Sequence, residues 1–167
     1  KEDAKSKREL EILDQRYTLG KVDFDSLIII DFGNSLKSTI ASLVFSDVND
    51  KTVLFTTVNQ WFDKSIFYEN SIKNLYYPSV NLKNFKMYNL KYFKTFESYP
   101  NEITILSYDA IGLIYYIWKK NKGIKSINDF FIDETIKGKI GEFKFTKEKV
   151  YQKLEIYKTD GKKFTLN

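Results

Sequence analysis

Val22 to Trp61, VDFDSLIIIDFGNSLKSTIASLVFSDVNDKTVLFTTVNQW, is the stretch that decides the fold. Leu27 to Ile30 is an unbroken run of branched apolar residues, the pattern of a strand buried on both faces of a parallel sheet. From Ser35, a residue suited to an N-cap, Leu36, Ile40, Leu43 and Val44 recur at i, i+4, i+7 and i+8 and predict a helix with one apolar stripe. Thr52 to Thr57 returns to strand. A strand, helix, strand crossover of this kind is right-handed and makes the two strands parallel. The turns Asp31-Phe32-Gly33-Asn34 and Val58-Asn59-Gln60-Trp61 then share the carboxyl edge of the sheet, where open α/β sheets bind their ligands.

Composition narrows the chemistry around this unit. The chain has 167 residues, of which 43% are hydrophobic and 17% aromatic, enough for a folded core and unlike a disordered segment. It has no cysteine and no histidine. Within this chain that excludes disulfide scaffolds, thiolate and imidazole metal sites, Ser/His/Asp triads and Cys/His dyads. A carboxylate metal site needs acids converging on one point, and the sequence displays no such cluster, so neither metal nor cofactor is expected. The net charge of +5 comes almost wholly from lysine, with Arg8 and Arg16 the only arginines. Lysines spread along the chain make a solvated surface rather than a nucleic-acid site, which favours clustered guanidinium forks. The longest apolar run, Ala110 to Trp118, is too short to span a bilayer. The opening Lys1-Glu2-Asp3-Ala4 is no signal peptide, and the sequence is expected to be a processed or truncated product.

Outward from the central unit, Lys1 to Arg16 reads as a charged helix with a narrow apolar edge of Leu10, Leu13 and Tyr17, ended by Gly20. Ile66 and Phe67 sit in a short amphipathic turn. Leu75 to Val80 has strand character, and Pro78, which lacks a ladder donor, argues for an edge position or a strand end. Asn84 is a possible cap for a helix carrying Phe85, Tyr88, Tyr92, Phe93 and Phe96 on one aromatic face, a spacing that suits core packing or a partner surface. Ile103 to Asn121 is a second helix, apolar around most of its circumference and so expected to be buried on more than one side. Lys119, Lys120 and Lys122 suit its C-terminal dipole, and Gly123 its left-handed stop. A short helix follows Ser126. Glu142 to Phe145 alternates with period two, and Lys153 to Lys158 and Lys162 to Leu166, joined by Thr159-Asp160-Gly161, form a hairpin.

In this order the chain resembles the C-terminal part of a type I periplasmic solute-binding protein of the branched-chain amino-acid-binding family, which includes relatives that act as penicillin-binding-protein activators. The resemblance rests on Phe24 to Ile30 with Asp31-Phe32-Gly33, on Leu54 to Thr57 before Asn59-Gln60-Trp61, and on Asn74-Leu75-Tyr76-Tyr77-Pro78 as a crossing strand. It rests further on the aromatic helix Phe85 to Phe96, on Ser107-Tyr108-Asp109-Ala110 as a helix start, and on the glycine-containing run Ile136 to Phe145. It implies an α/β fold: an incomplete three-layer parallel-sheet lobe with a C-terminal β-hairpin. Residues 1–80 would be the ligand-binding lobe around a βαβ core at 22–61. Residues 81–135 would be helices returning toward a first lobe that this sequence lacks, and residues 136–167 the last strands and hairpin. The helices between Asn84 and Asn121 would then need a cover, either the missing N-terminal lobe or self-association.

The family function this implies is the extracytoplasmic, solute-binding component of an ABC-type importer, at the periplasmic or outer envelope face, handing an amino-acid-like polar solute to a permease. A regulatory envelope protein of the activator type is the other reading. Ligand contacts carried over from the family fall on Asp31, Phe32, Asn34, Asn59, Gln60 and Trp61. Amides and a carboxylate there suit a small polar ligand, and Phe32 and Trp61 an apolar part of it. The same residues also suit plainer roles, Asn34 and Asn59 as turn formers and Trp61 as core. Amino-acid binders of the family place an acid at the second turn; neutral Asn59 and Gln60 depart from that and lean toward the regulatory reading. Asp109 is expected to be an N-terminal cap or a partner of the helix dipole rather than a catalytic acid. Asp23, Asp25 and Asp31 have the residue types of a phosphoacceptor site but lack the earlier strand such a site requires. No nucleophile and base pair is in view, so an enzyme is not expected.

Overall fold

Leu27 and Ile29 alternate with Ser26 and Ile28, and this alternation decides which face of the central sheet is packed. In the computed structural model, which describes residues 2–14, 22–69, 71 and 73–167, β1 (Ser26–Ile29) pairs in parallel with β2 (Leu54–Thr57) in the register Ile29↔Thr57. Helix α2 (Gly33–Phe45) makes the crossover, as its apolar stripe requires. Leu36 and Ile40 are buried and pack with Ile29, Phe55, Val48, Val53, Ile66 and Leu75, while Leu43 and Val44 close the edge of that cluster. Each such side chain contributes about 1.5–3 kcal/mol of apolar burial.

The other face of β1 differs from the expectation of two-sided burial. Ile28 is 71% exposed and Ile30 77%, because α2 covers one face only and β1 stands at the sheet edge. The helix also starts earlier than Ser35. Its N-cap is Phe32, and Ser35 lies in the first turn, its hydroxyl donating to Asp31 Oδ2 at 2.5 Å.

β3 (Leu75–Ser79) is internal, with strand order β1-β2-β3-β7-β8, so of the two places argued from Pro78 the edge position is corrected, while Pro78 does stand next to the strand's last residue. The proline is tolerated because β2 pairs only with Leu75 and Tyr76, before the missing donor. β7 (Glu155–Thr159) and β8 (Phe164–Leu166) form the expected hairpin around Asp160-Gly161, in the register Lys158↔Thr165. A second apolar centre joins them to the sheet. The Phe62 ring meets Tyr157 edge-on at 4.9 Å and Phe164 at 5.4 Å between centroids, with Tyr77 beside them. Burial, and next the charge of Tyr157, push the Tyr77 phenol far above its ordinary value. Its hydroxyl has no hydrogen-bond partner.

The chain divides into two compact units, Lys1–Tyr77 with Tyr157–Asn167, and Pro78–Ile156. In the first, α1 (Glu2–Asp14) precedes the sheet. Of the apolar edge expected there, Leu10 is exposed, while Tyr17 and the stop at Gly20 lie outside the described residues, as does the side chain of Leu13.

The second unit contains α3 (Leu82–Phe96), α4 (Ile103–Asn121) and a three-stranded antiparallel sheet of β4 (Ile136–Lys137), β5 (Glu142–Phe145) and β6 (Val150–Lys153). β6 was not legible as a separate strand, since Val150 to Lys158 carries no turn residue between β6 and β7. The cap of α3 is Asn81, whose Oδ1 accepts from the Asn84 amide at 3.0 Å, not Asn84 itself. The aromatic face of α3 is no buried core: Phe85, Tyr88 and Tyr92 are half-buried, and Phe93 and Phe96 are exposed. The expectation for α4 is corrected further. Among its residues only Ile105 and Ile117 are buried, whereas Ile111, Ile114, Tyr115 and Trp118 are 48–69% exposed. Burial needs a second surface, and on that side this chain supplies none among the described residues. Lys122 takes the left-handed position at the end of α4, and Gly123 donates its amide to the Trp118 carbonyl. A 3-10 turn, Ile127–Phe130, follows with Ser126 and Asp129 as a reciprocal capping box.

Asp109 is structural, but not as a cap. The helix begins six residues earlier, and Asn101 closes its first turn by accepting from Ile103 and Thr104. The Asp109 carboxylate instead accepts the Lys139 amide at 2.9 Å and the Ile140 amide at 3.0 Å. This fastens the Gly138–Gly141 turn of the small sheet to α4. Gly138 is required there, because a Cβ would collide with the Asp109 carboxylate and lie 2.9 Å from the Phe143 ring.

Candidate functional site

The two turns at the carboxyl edge of β1 and β2 meet through Gln60. Its side-chain Nε2 donates to the Asp31 carbonyl at 2.9 Å, to the Val58 carbonyl at 3.2 Å and, at 3.4 Å, to Thr57 Oγ1. Thr57 Oγ1 in turn donates to the Ile29 carbonyl at 2.7 Å. Parallel strands leave their last carbonyls without ladder partners, and these side chains satisfy them. Gln60, 7% exposed, therefore spends its amide on joining the turns.

Asp31 fixes the first turn. Oδ1 accepts the Phe32 amide at 2.8 Å and Oδ2 the Ser35 hydroxyl. The Ser35 bond first, and the Phe32 amide next, hold the Asp31 carboxyl below its ordinary value, so it is an anion at neutral pH. Gly33 takes a φ of +53°, which lets the chain turn directly from strand into helix. Phe32, 58% exposed, and Asn34 stand outward beside it.

The second turn carries backbone strain. Trp61 and Phe62 have φ of 50° and 61°, a left-handed pair costly for non-glycine residues. Two observations account for it. Asn59 Oδ1 accepts the Trp61 amide at 2.9 Å, and the Phe62 ring is driven into the aromatic centre below. Trp61 is left half-buried and Asn59 half-buried at the surface.

All six residues expected at the site thus come to one sheet edge, in unequal roles. Asp31, Asn59 and Gln60 shape the turns, while Phe32 and Asn34 are exposed and Trp61 half-buried at that edge. Thr57 and Asp63 were not singled out by sequence reasoning, and Ser35 was read only as an N-cap. Asp63 caps the next turn, its Oδ1 accepting the Ser65 amide at 2.8 Å and Oδ2 the Ser65 hydroxyl at 2.7 Å. The signal for it, Asp-x-Ser after Trp61, was present in the sequence. Among the described residues, no group of three or more acidic side chains converges as a metal would need. No protein-family model matches the chain, and no curated protein matches it. Among the described residues the fold is that of a mixed α/β protein with one five-stranded and one three-stranded sheet, whose strand-end turns set the Asp31 carboxylate beside the amides of Asn34, Asn59 and Gln60.

Proposed function

We propose that this chain is a non-enzymatic binding module: the C-terminal part of an extracytoplasmic solute-binding protein that delivers a small polar solute to an ABC-type importer. The observation that carries the reading is the Gln60 bridge, which makes one surface of two turns at the carboxyl edge of parallel strands. Asn34, Asn59 and the Asp31 carboxylate would orient the polar part of the solute, and Phe32 and Trp61 would cover the rest. The lobe would be of the type I periplasmic-binding-protein kind, working at the periplasmic or outer envelope face. The opposing wall of the cleft, and the cover of α3 and α4, would come from a first lobe or from a second copy, and hinge closure would trap the solute.

A second reading has its own support. The exposed apolar residues of α3 and α4, with the neutral Asn59 and Gln60, favour an envelope regulatory protein of the penicillin-binding-protein activator type. Thermal-shift titration against a panel of amino acids separates the two. A saturable shift that Asn34→Ala abolishes without lowering the unliganded melting point supports solute binding. No shift with any solute, together with capture of a penicillin-binding synthase, sinks it and selects the regulatory reading.

A further inference from the structure

The second unit holds a cavity that owes nothing to the strand-end turns. It is half-open, has a volume of about 630 Å³, and runs between α4, through Leu106, Ala110 and Leu113, and the small sheet, through Ile136, Phe143 and Phe145. That size lies in the range of pockets for small organic ligands, and the wall is mostly apolar, as such pockets are. Its shape depends on the Asp109 anchor, which holds the Gly138–Gly141 turn against α4.

A smaller cavity of about 90 Å³ adjoins it, sharing Asn84 and Lys139 as lining residues and adding Lys91, Tyr88 and Tyr108. Its chemistry is the opposite of the larger one. Lys91 Nζ lies 5.9 Å from the centroid of the Tyr108 ring, and Tyr88 meets that ring edge-on at 5.7 Å. The ion pairs among the described residues join Lys120 to Glu134, Lys144 to Asp133 and Lys153 to Glu142, and leave Lys91, Lys137 and Lys139 without a carboxylate. The sole acid lining either cavity, Asp109, already accepts an amide on each oxygen. Helix α3 itself carries Lys83, Lys86, Lys91 and Lys94 and no acid. An apolar chamber with a cationic, donor-rich end selects for both parts of one ligand.

We propose that the joined cavities bind an amphipathic organic anion, its apolar body along α4 and its anionic head between Lys91 and Lys139. The shared chemistry is that of a medium-chain carboxylate or a similar sulfonate or phosphate monoester. The site is independent of the solute-binding reading and survives its failure.

Calorimetric titration of the intact protein with decanoate, and with decyltrimethylammonium as a cation of the same chain length, tests it. We expect saturable binding of one decanoate per chain, at least about tenfold tighter than the cation, since two lysines at one end of the cavity attract an anionic head and repel a cationic one. Lys91→Gln with Lys139→Gln should weaken decanoate about tenfold and leave the cation unchanged, and Ala110→Phe should abolish both by filling the chamber. Ile111→Ala, on the exposed side of α4, should change neither. Equal affinity for the two ions, non-saturable uptake, or decanoate binding untouched by the lysine pair overturns the proposal. So does an absence of binding in which Ala110→Phe alters the oligomeric state instead, which would assign the chamber to a polypeptide. Should Ala110→Phe fail to fold, the solvent-side lysine pair decides alone.

Discussion

Two helices of this chain invite comparison. α2 has 13 residues and α4 has 19, and both are rich in isoleucine and leucine. α2 lies against a sheet that its own flanking strands build, and its Leu36 and Ile40 are 1% and 0% exposed. α4 is longer and more apolar, yet of its side chains only Ile105 and Ile117 reach that degree of burial. Apolar sequence states a demand for cover. Whether the demand is met depends on what lies across from each face, and for α2 the crossover itself guarantees an answer. No comparable local connection does so for α4.

The sharpest way to break this comparison is to truncate one isoleucine on each helix. Ile40→Ala should cost about 2–5 kcal/mol, as in a closed core, whereas Ile111→Ala should stay within about 0.5 kcal/mol. Urea unfolding measures both, and equal losses would show that α4 is covered in solution. The anchors come next. Asp109→Ala orphans two amides and frees the Gly138–Gly141 turn, for an expected loss of about 1–3 kcal/mol. Gln60→Ala should lose about as much or slightly less, since water can reach the carbonyls it leaves. Hydrogen exchange should show the Lys139 and Ile140 amides opening in the first variant and only the strand-end turns loosening in the second.

A smaller effect of opposite sign is expected at Tyr77. Its buried hydroxyl has no partner, so Tyr77→Phe should leave stability unchanged or raise it by up to about 1 kcal/mol. A drop in melting temperature would reveal an unseen partner for that hydroxyl. The smallest effect is the pH dependence. The Asp31 carboxyl is held low by Ser35 and Phe32, and that of Asp160 by the Lys163 and Lys162 amides. Both bind protons more weakly folded than unfolded, so their contribution is present above the ordinary value of 3.8 and lost as pH falls through the lower folded values. Melting temperature should be flat above about pH 5 and decline below about pH 4, shallowly, because both groups are exposed. A melting temperature that rises on acidification would contradict the sign.

The opening unit was legible because its signals are local. The unbroken apolar run Leu27 to Ile30, helical spacing in Leu36 to Val44 and Asp160-Gly161 between alternating runs each report a backbone state whose side chains lie within a few residues. The meeting of the two turns was legible to the same extent: strand ends of a crossover fall at one edge whatever their sequence. What failed to read was always a choice made across the chain. Ile28 looks like Ile29, yet one is 71% exposed and the other 7%, because α2 takes only one face. Pro78 reads as an edge signal until the register with β2 is seen to stop at Tyr76. Asp109 reads as a cap until the Lys139 and Ile140 amides come to it from 30 residues away.

By itself, then, the sequence determined the element types, the parallel βαβ unit, the hairpin and the removal of thiol and imidazole chemistry, since each follows from residue identity or short spacing. Only the tertiary structure decided that Gln60 joins the two turns, that Asp109 closes the wall of the larger cavity beside α4, and that the aromatic faces of α3 and α4 stand open. Those outcomes depend on distances between residues far apart in the chain, and periodicity carries no information about them.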